Sequence, residues 1–224
     1  MSTYVITGAG SGIGAEIARL LRARGHDLVA IVRSEQRARD VAAPGVRTVV
    51  ADLEQPETIE GALGALADET FAGLVHSAGI ADLGTVAETP AAVWSRTLTV
   101  NVTAVAEVTR VLLPGLRRGR ADVVLLNSGA GLRTSPGWTA YAASKHALKA
   151  LADGLRAEEP ELRVTSVYPG RTATAMQRGV REQEGGAFES ERYSDPATIA
   201  GVVLSALELP ADSHVNDVSV RSRG

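Results

Sequence analysis

The chain has no cysteine, which excludes disulfides, thiolate nucleophiles and cysteine-ligated metal sites. Its four histidines, His26, His76, His146 and His214, are scattered with no ligand spacing, so no metal site is expected. No apolar run approaches the ~20 residues that span a bilayer. The strand-like pattern begins at Thr3 or Tyr4, too early to leave room for a signal peptide. Neither sign of charge dominates: 23 Lys and Arg stand against 26 Asp and Glu, and the net charge of −3 gives no electrostatic reason to expect nucleic acid or a membrane as partner. These absences are those of a soluble protein of a reducing compartment, and a cytoplasmic location is expected.

What is present is an ordinary globular composition, 45% apolar and 22% charged over 224 residues, which predicts one domain with a sizeable core. Thr3 to Thr7 is a short β-prone run, followed at once by Gly8-Ala9-Gly10-Ser11-Gly12-Ile13-Gly14. Ile17, Leu20 and Leu21 then recur at helical spacing up to Gly25, a C-cap candidate. Strand, glycine-rich turn and helix is the arrangement that sets bare backbone N–H groups and a helix N-terminus against a pyrophosphate. The spacing, glycines at 8, 12 and 14, differs from the commoner Gly-x-Gly-x-x-Gly fingerprint.

A second buried strand, Leu28–Val32, closes on Arg33 and Ser34. In dinucleotide folds a carboxylate near this strand end accepts from the adenosine 2′-hydroxyl, whereas an arginine suits a 2′-phosphate. No acid occupies the strand end here, so NADP(H) is the preferred cofactor, with NAD(H) as the alternative. Further strands are expected at Val46–Val50, ending on Asp52-Leu53; at Phe71–Val75, ending on His76-Ser77-Ala78-Gly79; at Val123–Leu126, delivering Asn127-Ser128; at Val164–Tyr168, stopped by Pro169-Gly170; and at Val215–Val220. Helices are expected over 55–67, over 90–116 (one helix or a pair, carrying Asn101), over 141–157 and over 196–207. The polar stretch 175–194 reads either as a lid over a pocket or as a disordered surface loop. Alternating strands and helices predict a single α/β domain over 1–224. It would be Rossmann-type and doubly wound, with about seven parallel strands and helices on both faces. Ligand would bind at the carboxyl ends of the strands.

Tyr141 and Lys145 stand at i and i+4, one turn apart on one helix face. A phenol titrates near pH ~10, and a neighbouring ammonium favours its ionised form, so the pair is a candidate proton donor and acceptor. Ser128 reaches them only if the intervening segment, rich in Gly129, Gly131, Pro136 and Gly137, folds back as a loop. Trp138 reads as a packing residue or a substrate contact. Arg133 and Arg171 read as surface groups, the safer choice, or as contacts for an anionic substrate.

Taken together, Thr7-Gly8-x-x-x-Gly12-x-Gly14, Asp52, Ser77-Ala78-Gly79, Asn101, Ser128, Tyr141-x-x-x-Lys145 and Tyr168-Pro169-Gly170 with Thr174 resemble the short-chain dehydrogenase/reductase family over essentially the whole chain. The resemblance implies a hydride transfer between a nicotinamide cofactor and a small carbonyl or alcohol substrate. It makes Tyr141 the general acid and base, and Ser128 the group that orients the substrate oxygen. Lys145 would lower the tyrosine pKa and hold the nicotinamide ribose, and Asn101 would anchor a water joining Lys145 to solvent. Gly8, Gly10, Ser11, Gly12, Ile13, Gly14, Arg33, Ser34, Asp52, Leu53, Ser77, Ala78, Gly79, Pro169, Gly170, Thr172 and Thr174 would surround the cofactor. It also implies a homodimer or homotetramer through the helices around 101–116 and 141–157. Three positions depart from the family pattern. His76-Ser77 replaces a usual Asn-Asn, and His76 is expected to be structural. Ser11 stands where NADP-using members often have a basic residue, and Gly129 replaces a common serine. A dinucleotide-binding sensor without catalysis is the alternative from another functional class, and the complete Asn101, Ser128, Tyr141, Lys145 set argues against it.

Overall fold

A strand buried on both faces must be apolar at consecutive positions, and the runs that meet this condition form the centre of the sheet. In the computed structural model, which describes residues 2–223, these are β1 (Thr3–Thr7), β2 (Asp27–Val32), β4 (Gly73–His76), β5 (Asp122–Leu126) and β6 (Arg163–Pro169), all buried nearly throughout. The two remaining strands, β3 (Val46–Val50) and β7 (Asp217–Val220), are only partly covered, and they are the edges. The order is β3-β2-β1-β4-β5-β6-β7, with every neighbouring pair parallel. The expected Rossmann-type, doubly wound sheet is therefore present. The chain winds outward from β1 to β3, returns to place β4 beside β1, and winds outward again. The crevice at that reversal, beyond the carboxyl ends of β1 and β4, is where such sheets bind ligands.

Two cores cover the two faces. One joins α3 (Ile59–Leu63), α5 (Ala104–Gly119) and α6 (Thr139–Glu158) to the sheet around Phe71, Leu112 and Leu148. The other joins α1 (Gly12–Ala23), α2 (Glu35–Val41) and α8 (Pro196–Leu207) around Ile6, Ile17 and Leu21. Burying each such apolar side chain contributes roughly 1.5–3 kcal/mol.

Several boundaries differ from the sequence reading. The helix carrying Tyr141 begins at Thr139, and the fourth strand runs Gly73–His76, so His76 belongs to the strand. Residue 25 follows the C-cap Arg24, with Gly25 at φ +80°. The segment over 90–119 is one run: α4 (Ala91–Leu98), a widened π turn (Thr99–Thr103) and α5. The stretch 175–194 is structured: α7 (Ala175–Gln183) is capped by Thr174, whose hydroxyl accepts from the Gln177 amide at 3.2 Å, and a 3₁₀ turn follows at Ser190–Arg192. No helix is long and apolar enough to cross a membrane among the described residues.

Candidate active site

The turn after β1 is shaped by missing side chains. Gly8 and Gly12 adopt φ +75° and +53°, which L side chains rarely tolerate. A Cβ on Gly14 would lie 2.2 Å from the Gly8 carbonyl oxygen, so the first turn of α1 touches the end of β1 directly. Ser11 precedes α1 with no side-chain capping bond, and the first turn holds no acid, so the helix N-terminus keeps its amide donors and its positive end unmasked. Gly10, Ser11, Gly12 and Ile13 line the cavity above it. This cradle fits a pyrophosphate.

The neighbouring turn, Ser77–Gly79 after β4, is braced by the threonine that opens the glycine motif. The Thr7 hydroxyl accepts from the amides of Ser77 and Ala78, both at 3.2 Å. His76 faces away into the core. Its Nε2 lies 2.9 Å from the Thr109 hydroxyl, which itself donates to the Val105 carbonyl, so Nε2 is the protonated nitrogen. Burial lowers the His76 pKa to about 3, and the ring is neutral. Asn101, in the π turn, bonds the Ile80 backbone in both directions at 2.9 Å and donates to the Ser144 hydroxyl at 3.0 Å. Both Nδ2 protons and one acceptor site of Oδ1 are thus engaged by protein groups behind Gly79, close to Lys145. Three of the expected site residues stand behind the cavity wall rather than in it: Asn101, Gly14 and Ser34, the last accepting from the Arg37 amide to cap α2.

The loop between Ser128 and Tyr141 does fold back. Ser128 opens a 3₁₀ turn, Gly129–Gly131, and its Oγ accepts from the Ala130 amide at 3.1 Å, leaving its own proton to donate. Asn127 fixes this geometry: its Oδ1 accepts from the Ser128 amide at 2.8 Å, and its Nδ2 donates to the Lys145 carbonyl at 3.1 Å. Tyr141, Lys145 and Ser128 all line the cavity. Lys145 Nζ donates to the Leu126 carbonyl at 2.9 Å and lies 5.8 Å from the Tyr141 ring centroid. Burial lowers the Lys145 pKa to about 8. The expectation that Lys145 depresses the tyrosine is not met in this state. Burial raises the Tyr141 pKa, and the neighbouring Ser128 hydroxyl opposes that in part.

Arg33, Asp52 and Leu53 line the other end of the cavity. Asp52 Oδ1 accepts from the Glu54 amide at 3.0 Å. Arg37 lines the cavity beside Arg33. It was missed because α2 has too few apolar positions to show a helical period, so nothing marked the turn that carries it. Toward the sheet's far edge the wall is formed by Pro169, Gly170, Thr172, Thr174 and Trp138. The Trp138 ring meets Tyr141 edge-on at 5.8 Å and lies under the Arg171 guanidinium at 5.6 Å. Gln183, at the end of α7, accepts from the Leu83 amide at 2.7 Å and donates to the Ala81 carbonyl at 3.1 Å, tying α7 to the loop after β4.

Comparison with known proteins gives a consistent result. A family model described as short chain dehydrogenase matches residues 2–185. Dehydrogenase/reductase SDR family member 7B of Bos taurus is 34% identical, over 92% of this chain and 70% of that protein. The glycine betaine reductase of Emericella nidulans is 32% identical over 98% of this chain, which spans only 18% of that protein's length. Among solved structures, an alcohol dehydrogenase from the archaeon Thermococcus sibiricus, complexed with 5-hydroxy-NADP, superposes with a TM-score of 0.90 at 26% identity, covering 100% of this chain and 97% of that one.

Proposed function

As the chain belongs to the short-chain dehydrogenase/reductase family, it is an oxidoreductase, and we propose that it transfers a hydride between NADP(H) and a carbonyl or secondary alcohol substrate. One observation carries this reading. A single cavity of about 1040 Å³ runs from the Gly10–Gly12 cradle and Arg33 to Ser128, Tyr141 and Lys145, so one bound dinucleotide can reach from one set to the other.

When bound, the nicotinamide supplies or accepts the hydride. The protein's part is to orient the substrate and move the proton. Ser128, whose Oγ already accepts from Ala130, donates its O–H to the substrate oxygen. Tyr141 gives its phenolic proton to that oxygen during reduction and takes it back during oxidation. A buried phenol with a raised pKa keeps its proton until the oxygen develops negative charge, which suits the acid role. Lys145 retains its charge at neutral pH and has two N–H donors beyond the one bonded to Leu126, enough for a pair of ribose hydroxyls. Asn101 acts as a positioning residue, holding the Ile80 backbone and Ser144 beside Lys145.

Arg33 and Arg37 at the end of β2 favour NADP(H), because guanidinium groups suit a 2′-phosphate. NAD(H) is the second reading, favoured by the neutral Ser11 on the glycine turn. A thermal-shift titration decides between them, since a ligand that binds only the native state raises its melting temperature. A shift with NADP⁺ at much lower concentration than with NAD⁺ is expected, followed by NADPH oxidation on a panel of aldehydes and ketones. The reverse preference would overturn the phosphate reading, and no shift with either would remove the dinucleotide site. We also propose a homodimer or homotetramer through the π turn, α5 and α6, where Val102, Ala106, Ala143 and Ala147 remain partly exposed. Sedimentation showing only a monomer at micromolar concentration would count against it.

A further inference from the structure

Granting the NADP(H)-linked oxidoreductase just described, on which this step rests, we propose that the substrate carries a carboxylate and that Arg221, aided by Arg133, receives it. The charge at the substrate end of the cavity is unbalanced. Arg133, Arg171 and Arg221 line it there, and Glu184 is the carboxylate that lines it with them. Glu184 is already engaged: both Arg171 Nη atoms bond it at 2.9 and 2.7 Å, and Arg181 joins at 2.6 Å. Arg171, one of the two arginines the sequence offered for an anion, is therefore already paired with a carboxylate and stacked on Trp138. Among the described residues, Arg133 has no side-chain hydrogen bond and no ion-pair partner, and Arg221 has no carboxylate.

Arg221 is held in a way that presents its charge rather than quenching it. Its Nη1 donates to the main-chain carbonyls of Tyr168 at 2.8 Å and Val220 at 3.2 Å. Its Nε and Nη2 have no partner among the described residues, and together they form the side-on fork that matches a carboxylate. Nη2 lies 3.1 Å from where a Cβ on Gly129 would be, so the guanidinium occupies space beside the residue that follows Ser128. The glycine found at 129, in place of the family's common serine, leaves room for this side chain.

The cofactor's own phosphates do not account for these arginines. Its anions belong over the Gly10–Gly12 cradle and beside Arg33, which follows β2. Arg221 follows β7, five strand spacings away across the sheet, or about 24 Å. Ser128 follows β5, only two spacings from Arg221, or about 10 Å. A carboxylate on Arg221 thus belongs to the molecule whose oxygen Ser128 and Tyr141 hold.

The test is a set of matched acid and ester substrates with NADPH: acetoacetate against ethyl acetoacetate, and succinic semialdehyde against its ethyl ester. At least one acid is expected to exceed its ester in kcat/KM by ~10-fold or more, the scale of one charge-assisted hydrogen bond. In Arg221→Gln the acid-to-ester ratio should fall by a similar factor, with a smaller fall in Arg133→Gln and partial recovery in Arg221→Lys. The ratio compares two substrates in one variant, so a loss of folding or of cofactor binding, which lowers both rates together, does not imitate it. Ester turnover equal to or above that of the acid, or a ratio that Arg221→Gln leaves unchanged, overturns the carboxylate proposal and leaves the oxidoreductase standing. If neither class is reduced, binding of each acid and ester is read from quenching of bound NADPH fluorescence; equal affinities overturn the proposal. Absence of any thermal shift with NADPH overturns both readings together.

Discussion

Lys145 Nζ lies 5.8 Å from the centroid of the Tyr141 ring and is anchored to the Leu126 carbonyl at the end of β5. The ammonium is thus fixed by the sheet, one helical turn from the Tyr141 phenol. No direct bond joins the two groups: the ammonium stands beside the ring while its hydrogen bond goes to the sheet. Tyr141→Phe removes the proton and little else, because the ring keeps its place against Trp138. Cofactor affinity should stay within a few-fold of wild type, while carbonyl reduction falls by ~10²–10⁴. Steady-state rates beside an NADP⁺ thermal shift check this, and retained turnover would sink the acid assignment.

Nucleotide choice should be carried jointly by Arg33 and Arg37. Each lines the cavity at the end of β2, and Arg37 is also bonded to Asp40 at 3.3 Å. Arg33→Ala should raise the KM for NADPH much more than that for NADH, and Arg37→Ala should do so to a smaller degree because its charge is partly shared. Equal effects on the two nucleotides would remove the phosphate role.

The contact between α1 and β1 should be intolerant of one methyl group. Gly14→Ala would set a Cβ 2.2 Å from the Gly8 carbonyl oxygen and 2.9 Å from Ser77 Oγ. Relieving that overlap costs on the order of 1–3 kcal/mol and displaces the cradle. Gly61→Ala is the control, since that position in α3 has open space around it and alanine is the better helix former. Melting temperatures should fall for the first and hold or rise for the second, and only the first should lose its NADP⁺ shift.

Acid sensitivity should trace in part to His76. The unfolded imidazole titrates near pH ~6.5, whereas the buried ring accepts a proton only near pH 3. Above pH 6.5 both states are neutral and the native state carries no penalty. As pH falls below 6.5 the unfolded chain takes up a proton that the native state refuses, so stability is lost, by roughly 2 kcal/mol at pH 5. His76→Asn should lower stability at pH 7 through the altered packing but show a shallower decline toward pH 5. Urea midpoints at the two pH values measure the difference; identical slopes in the two proteins would rule the ring out.

What could be read from the chain was whatever lies local in sequence: the buried strands, the glycine turn and the Tyr141–Lys145 pair, each a matter of spacing within a few residues. The groups that hold these in place were invisible for the opposite reason. Thr7 braces Ser77 and Ala78 from seventy residues away, and Asn127 ties Ser128 to the Lys145 carbonyl across a loop. Thr7 stands in the glycine motif, but nothing there shows which groups its hydroxyl meets, and an asparagine before a serine is ordinary. The stretch 175–194 looked undecided because its helix α7 is largely polar, and what orders it lies mostly outside it: the Thr174 cap, the Gln183 bonds to residues 81 and 83, the Arg171 pair with Glu184 and the backbone bonds of Ser194 to residues 171 and 173. Arg221 went unnoticed because its neighbours are main-chain atoms of another strand.

Along the seam between the glycine turn and the Ser77 turn, main chain lies against main chain at Gly8 and Ala78, and Gly14 packs on the Gly8 carbonyl. An overlap created there has no remedy nearby, because exchanging a neighbouring side chain does not relocate a backbone atom. The opposite end is lined by larger residues, Arg133, Met176 and Arg221 among them, whose side chains can change while the backbone stays in place. Heredity can therefore tinker with the mouth of this molecule at leisure while its grip on the nucleotide stays frozen, and a descendant can acquire a new diet without relearning how to hold its fork.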